Sequence, residues 1–274
     1  MTVLPDLSHL AGLATQRGGD PNLLRDELVH IIRNHAEQAP RSLQKKIGPS
    51  EIGTPCNRRL GHMLAGTERR ASGDPWRTTV GTAVHQWLAE AMAAANASCP
   101  PGEARWLVEQ RVVAGSIDGT TLDGTTDLYD RVTATVLDWK TTTLPKIRAY
   151  KANGPDEQYR VQAMVYGMGW TQRGLPVDTV AIFFLPRDGQ LADAYMHHEP
   201  YDENVALAAI AKADAIARAG RLAGWNAVLP GLATTDAHCL FCPFLRQGTT
   251  DLTTGCPGHG DIAAPKTLTG LLAG

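Results

Sequence analysis

The protein has 274 residues, of which 43% are hydrophobic and 20% are charged, a balance typical of an ordinary soluble globular protein. Its formal net charge of −2 excludes a protein that binds nucleic acid through overall positive charge. No apolar run approaches the ~20 residues that span a bilayer, and the first residues lack the features of a secretory signal, so we expect a cytoplasmic protein without membrane contact.

Hydrophobic periodicity predicts helices in the first third of the chain. The first begins after Asp20 at Pro21, which suit an N-cap and a first turn, and it ends at Pro40. A short helix is predicted over 55–65 and a long one over 75–97. Seven lysine and arginine residues fall between positions 41 and 70, which indicates either a solvated face or a patch that follows phosphates.

The pattern then changes to strands. Runs rich in β-branched residues predict strands over 105–115, 120–130 and 134–142, with a hairpin turn between the last two and a bulge or tight bend at Gly124. A helix over 156–174, a strand pair around Asp188 and Gly189, and an alanine-rich helix over 202–221 complete the order. This order predicts one α/β domain with a central mixed sheet flanked by helices.

The third predicted strand carries opposite charges on one face. In "TVLDWKTTT", Asp138 and Lys140 point the same way, whereas Trp139 points into the core. If the second and third strands form a hairpin, Asp127 stands beside Asp138. Two neighbouring carboxylates repel unless a cation lies between them, and Mg²⁺ or Mn²⁺ prefers such oxygen ligands. The alternative is a structural salt bridge between Asp138 and Lys140.

Helical positions add further candidates. His85 lies on the long predicted helix, where a single histidine is usually structural. Tyr159, Gln162 and Tyr166 share one helical face, and amphipathic core packing explains the tyrosines. Gln162 is harder to place in a core, because its amide would need buried partners.

Five cysteines without a secretion signal argue against a disulfide framework. Cys239, Cys242, Cys256 and His259 have a spacing that suits zinc. The alternative is an iron–sulfur cluster held by those three cysteines and the distant Cys56. Cys99 fits neither site. The segment after residue 223 is too poor in apolar residues for its own core, so a metal that joins it to Cys56 would fasten it to the domain.

Taken together, His85, "GTTD" ending at Asp127, "DWK" from Asp138 to Lys140, and "QAMVY" from Gln162 to Tyr166 resemble the RecB-like branch of the PD-(D/E)XK nuclease superfamily. The sequence around Cys56, "SEIGTPCNRRLGHMLAG", resembles the cysteine segment of the iron–sulfur exonucleases in that branch, including CRISPR-associated and phage enzymes.

The resemblance implies a restriction-endonuclease-like core and a role for each of these residues. His85, Asp127, Asp138 and the Trp139 carbonyl would hold Mg²⁺ or Mn²⁺, and Lys140 would be the catalytic lysine. Gln162 and Tyr166 would support the site, and Glu109 on the preceding strand would help to position it. DNA contacts are assigned to Arg58, Arg59, Lys146 and Tyr159.

The resemblance also favours a 4Fe–4S cluster held by Cys56, Cys239, Cys242 and Cys256 over zinc, with Cys256 departing from the expected spacing. It implies a metal-dependent DNA exonuclease that acts on single strands or strand ends in recombination or end processing, in a bacterial cell or a phage-infected host, with a recombination partner protein. A non-catalytic, zinc-stapled nucleic-acid-binding module is the alternative. The predicted parts are an N-terminal helical segment (1–40), a nuclease core (41–222) and a cysteine-bearing segment (223–274), with the cluster joining the terminal parts.

Overall fold

In a computed structural model of the protein, the residues described are 21–38, 46–70, 74–100, 102–236 and 238–260. The predicted bounds of the first helix, Asp20 and Pro40, lie outside these ranges, as do Arg41 and Lys45, two of the seven basic residues between positions 41 and 70. Within the described ranges, no helix is both long and apolar enough to cross a membrane.

The chain forms two compact units. One comprises residues 1–44 and 74–79, and the other comprises 45–73 and 80–274. The first unit contains helix α1 (Pro21–Glu37). Helix α4 (Trp76–Ala95) begins in the first unit and continues in the second. All the candidate site residues belong to the second unit.

The second unit is built around a five-stranded mixed sheet. Its strands lie side by side in chain order: β1 (Trp106–Ile117), β2 (Thr120–Asp130), β3 (Thr135–Thr142), β4 (Thr179–Pro186) and β5 (Tyr195–Pro200). Neighbouring strands are antiparallel except β3 and β4, which are parallel and are therefore joined by a helical crossover. The predicted α/β class with a central mixed sheet is confirmed.

Among its described residues, this unit contains six further α-helices: α2 (Pro49–Ile52), α3 (Asn57–Leu64), α5 (Leu144–Asn153), α6 (Glu157–Gln172), α7 (Glu203–Ala223) and α8 (Trp225–Val228). Helix α5 was not predicted. Its signals are a proline, Pro145, in the first turn and Gly154 at the end, where φ is +78°. The helix was missed because its apolar residues are few and show little helical periodicity.

Helices cover both faces of the sheet. Val136 of β3 enters the main core with residues of α6 and α7. Its neighbours along the strand, Leu137 and Trp139, enter a second cluster that Leu88 of α4 packs against. Because side chains alternate along a strand, Asp138 faces the α6 side and Trp139 faces the α4 side. The predicted burial of Trp139 is confirmed, since the side chain is 4% exposed.

Gly124 marks a close approach between elements. It pairs regularly with Val112, and the irregularity in this ladder lies between Val113 and Gly115, so of the predicted bulge or tight bend at Gly124 the bulge is wrong. A Cβ at Gly124 would lie 3.0 Å from a side-chain atom of Pro49 and 3.1 Å from Tyr166. Glycine therefore lets β2 approach α2 and α6, both of which lead to the site.

Candidate active site and cysteine pocket

The pairing of β2 with β3 stops just before the two candidate carboxylates, Asp127 and Asp138. Leu128 pairs with Leu137, so the next positions in the same register are Asp127 and Asp138, but the ladder stops before them. There Asp127 Oδ2 accepts the backbone N–H of Trp139 at 2.7 Å. The predicted register is confirmed, and the carboxylate of Asp127 lies where a ladder hydrogen bond would otherwise form.

Asp138 lies between a lysine and an amide. Its Oδ2 pairs with Lys140 Nζ, and its Oδ1 accepts Gln162 Nε2 at 2.8 Å. Lys140 also lies 5.2 Å above the ring of Tyr159. Asp138 is only 4% exposed, and burial raises the pKa of its carboxyl, against the lowering effect of the Lys140 charge. The amide of Gln162 is thus buried with a partner, which answers why a glutamine lies on this helical face.

A second group of potential ligands forms around Asp127. His85 Nδ1 lies 3.2 Å from Asp127 Oδ1. One potential ligand atom each of His85, Glu109 and Asp127 lies within 4.8 Å of the other two. Burial lowers the pKa of His85, but the hydrogen bond and charge of Asp127 outweigh it and the net shift is upward. An imidazole and two carboxylates at this spacing suit a divalent cation such as Mn²⁺.

Glu109 reaches this group through an unusual backbone. The pairs on either side of it, Val108 with Leu128 and Gln110 with Thr126, place it opposite Asp127 on β1. Its φ is +49°, in the left-handed region that glutamate rarely adopts. Strain of this kind within a strand is typical of functional sites. The resemblance and the place of Glu109 on the preceding strand are the signals for it in the sequence, and the register of β1 with β2 adds a structural one.

Two other predicted residues lie on helices α6 and α5. Tyr166 follows Gln162 by one helical turn and is 7% exposed, within the main core. The side chain of Lys146 lies 3.5 Å from Asp156 and 4.8 Å from the ring of Tyr150. Their assigned roles, and that of the Trp139 carbonyl, stay predictions.

Four cysteines from three separate parts of the chain line one small pocket. Cys56 precedes α3, Cys239 begins a 3₁₀ turn that ends at Phe241, Cys242 follows it, and Cys256 pairs with Leu245 in a short bridge. All four are free thiols, as is Cys99, which is not among the pocket residues. The fold therefore assembles the four residues that the sequence proposed as a cluster site.

The pocket contains donors that lack acceptors. Arg59 Nε and Thr235 Oγ1 are both buried and have no hydrogen-bond partner among the described residues. Burial raises the pKa of the Cys239 and Cys242 thiols, and the Arg59 guanidinium acts in the opposite direction on Cys242. His259 lines the pocket too, with its Nδ1 2.7 Å from Thr234 Oγ1. A half-buried arginine and two buried, unpaired donors, one of them its own Nε, indicate that the pocket suits an electron-rich group.

No three of the four cysteine sulfurs lie within 4.8 Å of one another. Within the described ranges, the one set of three or more metal-ligating residues with ligand atoms inside 4.8 Å is His85, Glu109 and Asp127. A zinc ion with ligands about 2.3 Å away requires sulfurs about 3.8 Å apart. A four-iron cluster holds its thiolates further apart, because each one binds a different corner iron.

Apolar packing and Arg58 also hold the cysteine-bearing segment. Phe244 is fully buried, stacks on His62 and packs near Met63. Arg58 donates from Nε to the Leu229 carbonyl at 3.1 Å and from its terminal nitrogen to the Pro230 carbonyl at 3.1 Å. The guanidinium of Arg58 therefore has a structural role, and its predicted DNA contact stays a prediction.

No protein-family model matches the chain, and no curated protein matches it. Among solved structures, a protein designated SSO0001 is similar over 81% of this chain and 94% of its own, with 16% identity and a TM-score of 0.45. The alkaline exonuclease LHK-Exo from Laribacter hongkongensis is similar over 68% of this chain and 91% of its own, with 12% identity and a TM-score of 0.44. A phage-related exonuclease from Haemophilus somnus 129PT covers 39% of this chain and 56% of its own, with 13% identity and a TM-score of 0.28. At these values the resemblance does not assign an activity to this chain.

Proposed function

We propose that the protein is a DNA nuclease that depends on Mg²⁺ or Mn²⁺, with exonuclease activity on single strands or strand ends. The observation that carries this proposal is the arrangement at the end of the β2–β3 hairpin. There Asp127 lies at the register position of Asp138, and Lys140 pairs with Asp138. A structural salt bridge alone would not require Asp127, Glu109 and His85 to converge beside it.

The donor set fits a hard divalent ion. His85, Glu109 and Asp127 offer one imidazole nitrogen and carboxylate oxygens within 4.8 Å of one another. Asp138, at the register position opposite Asp127, adds a buried carboxylate, and its burial makes a nearby cation favourable. When bound, such an ion supplies a Lewis acid for the phosphate and acidifies water.

The protein's own groups then complete the reaction. Gln162 fixes the orientation of the Asp138 carboxylate, and the Trp139 N–H fixes that of Asp127. Lys140, whose side chain is 18% exposed, can hold the attacking water and stabilise charge that develops on the phosphate. The Lys140 ammonium forms an ion pair with the Asp138 carboxylate. It would therefore be close to a phosphate bound by an ion at that carboxylate.

The DNA strand would approach over α5. This helix carries Lys146, Arg148 and Lys151, the last two of them exposed, and it begins two residues after β3 ends. Tyr159 is partly buried beneath Lys140 and offers a ring edge next to the site. A basic helix beside an acidic centre is what phosphate positioning requires. A recombination or end-processing role, with a partner protein, belongs to the same proposal.

Cleavage of labelled DNA tests the nuclease. Oligonucleotides labelled at the 5′ or the 3′ end are incubated with Mn²⁺ and wild type, Lys140→Ala or Lys212→Ala, a control on α7. We expect Lys140→Ala to lose about 10²-fold or more in rate while the control keeps its activity. Unchanged cleavage by Lys140→Ala refutes the mechanism. Retention of DNA by wild type with no cleavage in Mg²⁺ or Mn²⁺ supports the non-catalytic binding module instead.

We further propose that Cys56, Cys239, Cys242 and Cys256 hold a 4Fe–4S cluster. The unpaired donors of Arg59 and Thr235 support it, because a cluster has inorganic sulfides that accept hydrogen bonds in addition to the cysteine thiolates, whereas a zinc site has the thiolates alone. The arrangement of the cysteines, in which no three sulfurs lie within 4.8 Å of one another, supports it as well. Zinc held by Cys239, Cys242, Cys256 and His259 is the competing occupant.

Metal analysis of anaerobically purified protein separates the two occupants. Brown protein with about four irons per chain supports the cluster. Colourless protein with one zinc per chain rejects it. His259→Ala sharpens the comparison, since it removes a ligand from the zinc site and leaves the four cluster cysteines intact.

A further inference from the structure

The first half of α6 contacts both the candidate nuclease centre and the segments that carry the pocket cysteines. This inference rests on the ion site and the metal-filled pocket proposed above. Helix α6 presents Tyr159 to Lys140 and Gln162 to Asp138. The same part of the helix is attached to both chain segments that supply the pocket cysteines.

The first attachment runs through Gln158. Its Nε2 donates to the Ser50 carbonyl at 2.6 Å and so attaches α6 to α2. Ser50 lies in α2, six residues before Cys56. The turn after α2 lies directly on α6, since a Cβ at Gly53 would stand 2.7 Å from Val161 Cβ and 3.0 Å from Gln158 Cα. A contact that close leaves little freedom for one element to move without the other.

The second attachment runs through His238, the residue before Cys239. Its Nε2 lies 4.0 Å from Asp156 Oδ2, and Asp156 is the N-cap residue of α6. His238 has φ of +58°, a left-handed conformation that aims the chain into the 3₁₀ turn carrying Cys239. This contact is exposed and is therefore weaker than that of Gln158.

Gln158 and Gln162 are one helical turn apart, so they share a face of α6. The Ser50 carbonyl thus bonds to one glutamine, and the Asp138 carboxylate bonds to the next glutamine along that face. Displacement of α2 or of the Cys239 turn would shift the amide that orients Asp138.

We propose that Gln158 and, more weakly, His238 are positioning residues that couple the two sites, so that filling of the cysteine pocket strengthens divalent-ion binding at the nuclease centre. Coupling of binding free energies is reciprocal, so an ion at the centre must also strengthen retention of metal in the pocket. The coupling passes through α6 and requires no direct contact between the sites.

The test measures Mn²⁺ binding and metal retention rather than cleavage. The dissociation constant for Mn²⁺ is obtained from the electron paramagnetic resonance signal of free Mn²⁺, for the iron-loaded full chain and for the iron-free Cys242→Ala variant. Gln158→Ala is compared with Gln172→Ala, a matched control on α6 whose side chain donates to the Ala114 carbonyl at 3.4 Å, away from the site. Loss of iron to a chelator is followed with and without Mn²⁺.

We expect Gln158→Ala and the iron-free protein to bind Mn²⁺ at least about fivefold more weakly, with Gln172→Ala unchanged. We also expect Mn²⁺ to slow iron loss in wild type and less so in Gln158→Ala. His238→Ala, a surface change that should fold, is expected to act in the same direction with a smaller effect. Equal Mn²⁺ affinities in all these proteins overturn the coupling. Absence of DNA cleavage by wild type would defeat the nuclease proposal alone, because the linked affinities are read without DNA.

Discussion

Replacement of Asp138 by asparagine tests whether the ionised Asp138 carboxylate lowers the free energy of unfolding of the protein. Asp138 is buried, and its pKa is raised from 3.8 to about 6. A folded-state pKa above the unfolded value favours the folded state at low pH, and this contribution disappears as pH rises through about 6. Asparagine keeps the size of the side chain and does not titrate, so the protein with Asp138→Asn loses this pH dependence.

The magnitude follows from the shift. A change from 3.8 to about 6 corresponds to about 3 kcal/mol between full protonation and full ionisation of Asp138. About 1.5 kcal/mol of this falls between pH 5 and pH 8, because at pH 5 the unfolded carboxyl is already ionised. The free energy of unfolding of Asp138→Asn, relative to wild type, should therefore rise by about 1.5 kcal/mol from pH 5 to pH 8.

Urea unfolding followed by circular dichroism in EDTA measures this difference. Asp130→Asn is the control, because hydrogen bonds from Arg105 and Thr133 outweigh burial and lower the pKa of Asp130 to about 2. Asp130 contributes stability above its unfolded pKa, so its replacement should cost the same at pH 5 and pH 8. A relative stability of Asp138→Asn that is equal at both pH values refutes the reasoning. Added Mn²⁺ should stabilise wild type and leave Asp138→Asn almost unchanged.

Three further predictions concern single contacts. Glu109→Gln should weaken Mn²⁺ binding about tenfold, measured by the electron paramagnetic resonance signal of free Mn²⁺. The control is Glu103→Gln, a change at an exposed residue before β1, which should leave the affinity unchanged. Equal affinities of the two variants would show that Glu109 is not part of the site. Arg59→Leu should lower the iron content of purified protein, because the thiolates lose a neighbouring positive charge and a hydrogen-bond donor. The control is Arg70→Leu, a change at an exposed residue, which should leave the iron content unchanged. Gly124→Ala should lower the free energy of unfolding by about 1–3 kcal/mol, because the added Cβ lies too close to Pro49 and Tyr166. Thermal unfolding compares this variant with Gly231→Ala, where a Cβ meets open space. Equal melting temperatures would show that Pro49 and Tyr166 move aside without cost.

Local patterns predicted most of the fold. The strands β1 to β3, the helices α4, α6 and α7, and the mixed sheet follow from periodicity and turn residues that act within a few positions of the chain. The pairing of Asp138 with Lys140 also follows locally, since a strand places alternate residues on one face. Helix α5 was missed because its first turn and its end, rather than its apolar pattern, are what define it.

Contacts between distant segments could not be predicted in this way. The left-handed backbone of Glu109 arises where β1 passes opposite Asp127, and the unpaired donor of Arg59 arises where α3 meets the cysteine-bearing segment. Neither depends on the residues next to it in the chain. The sequence by its periodicity and residue types specified the elements and the chemical groups that they carry. The three-dimensional packing alone decided that the Ser50 carbonyl and the Asp138 carboxylate both bond to one face of α6, because such contacts depend on how whole elements fill space together.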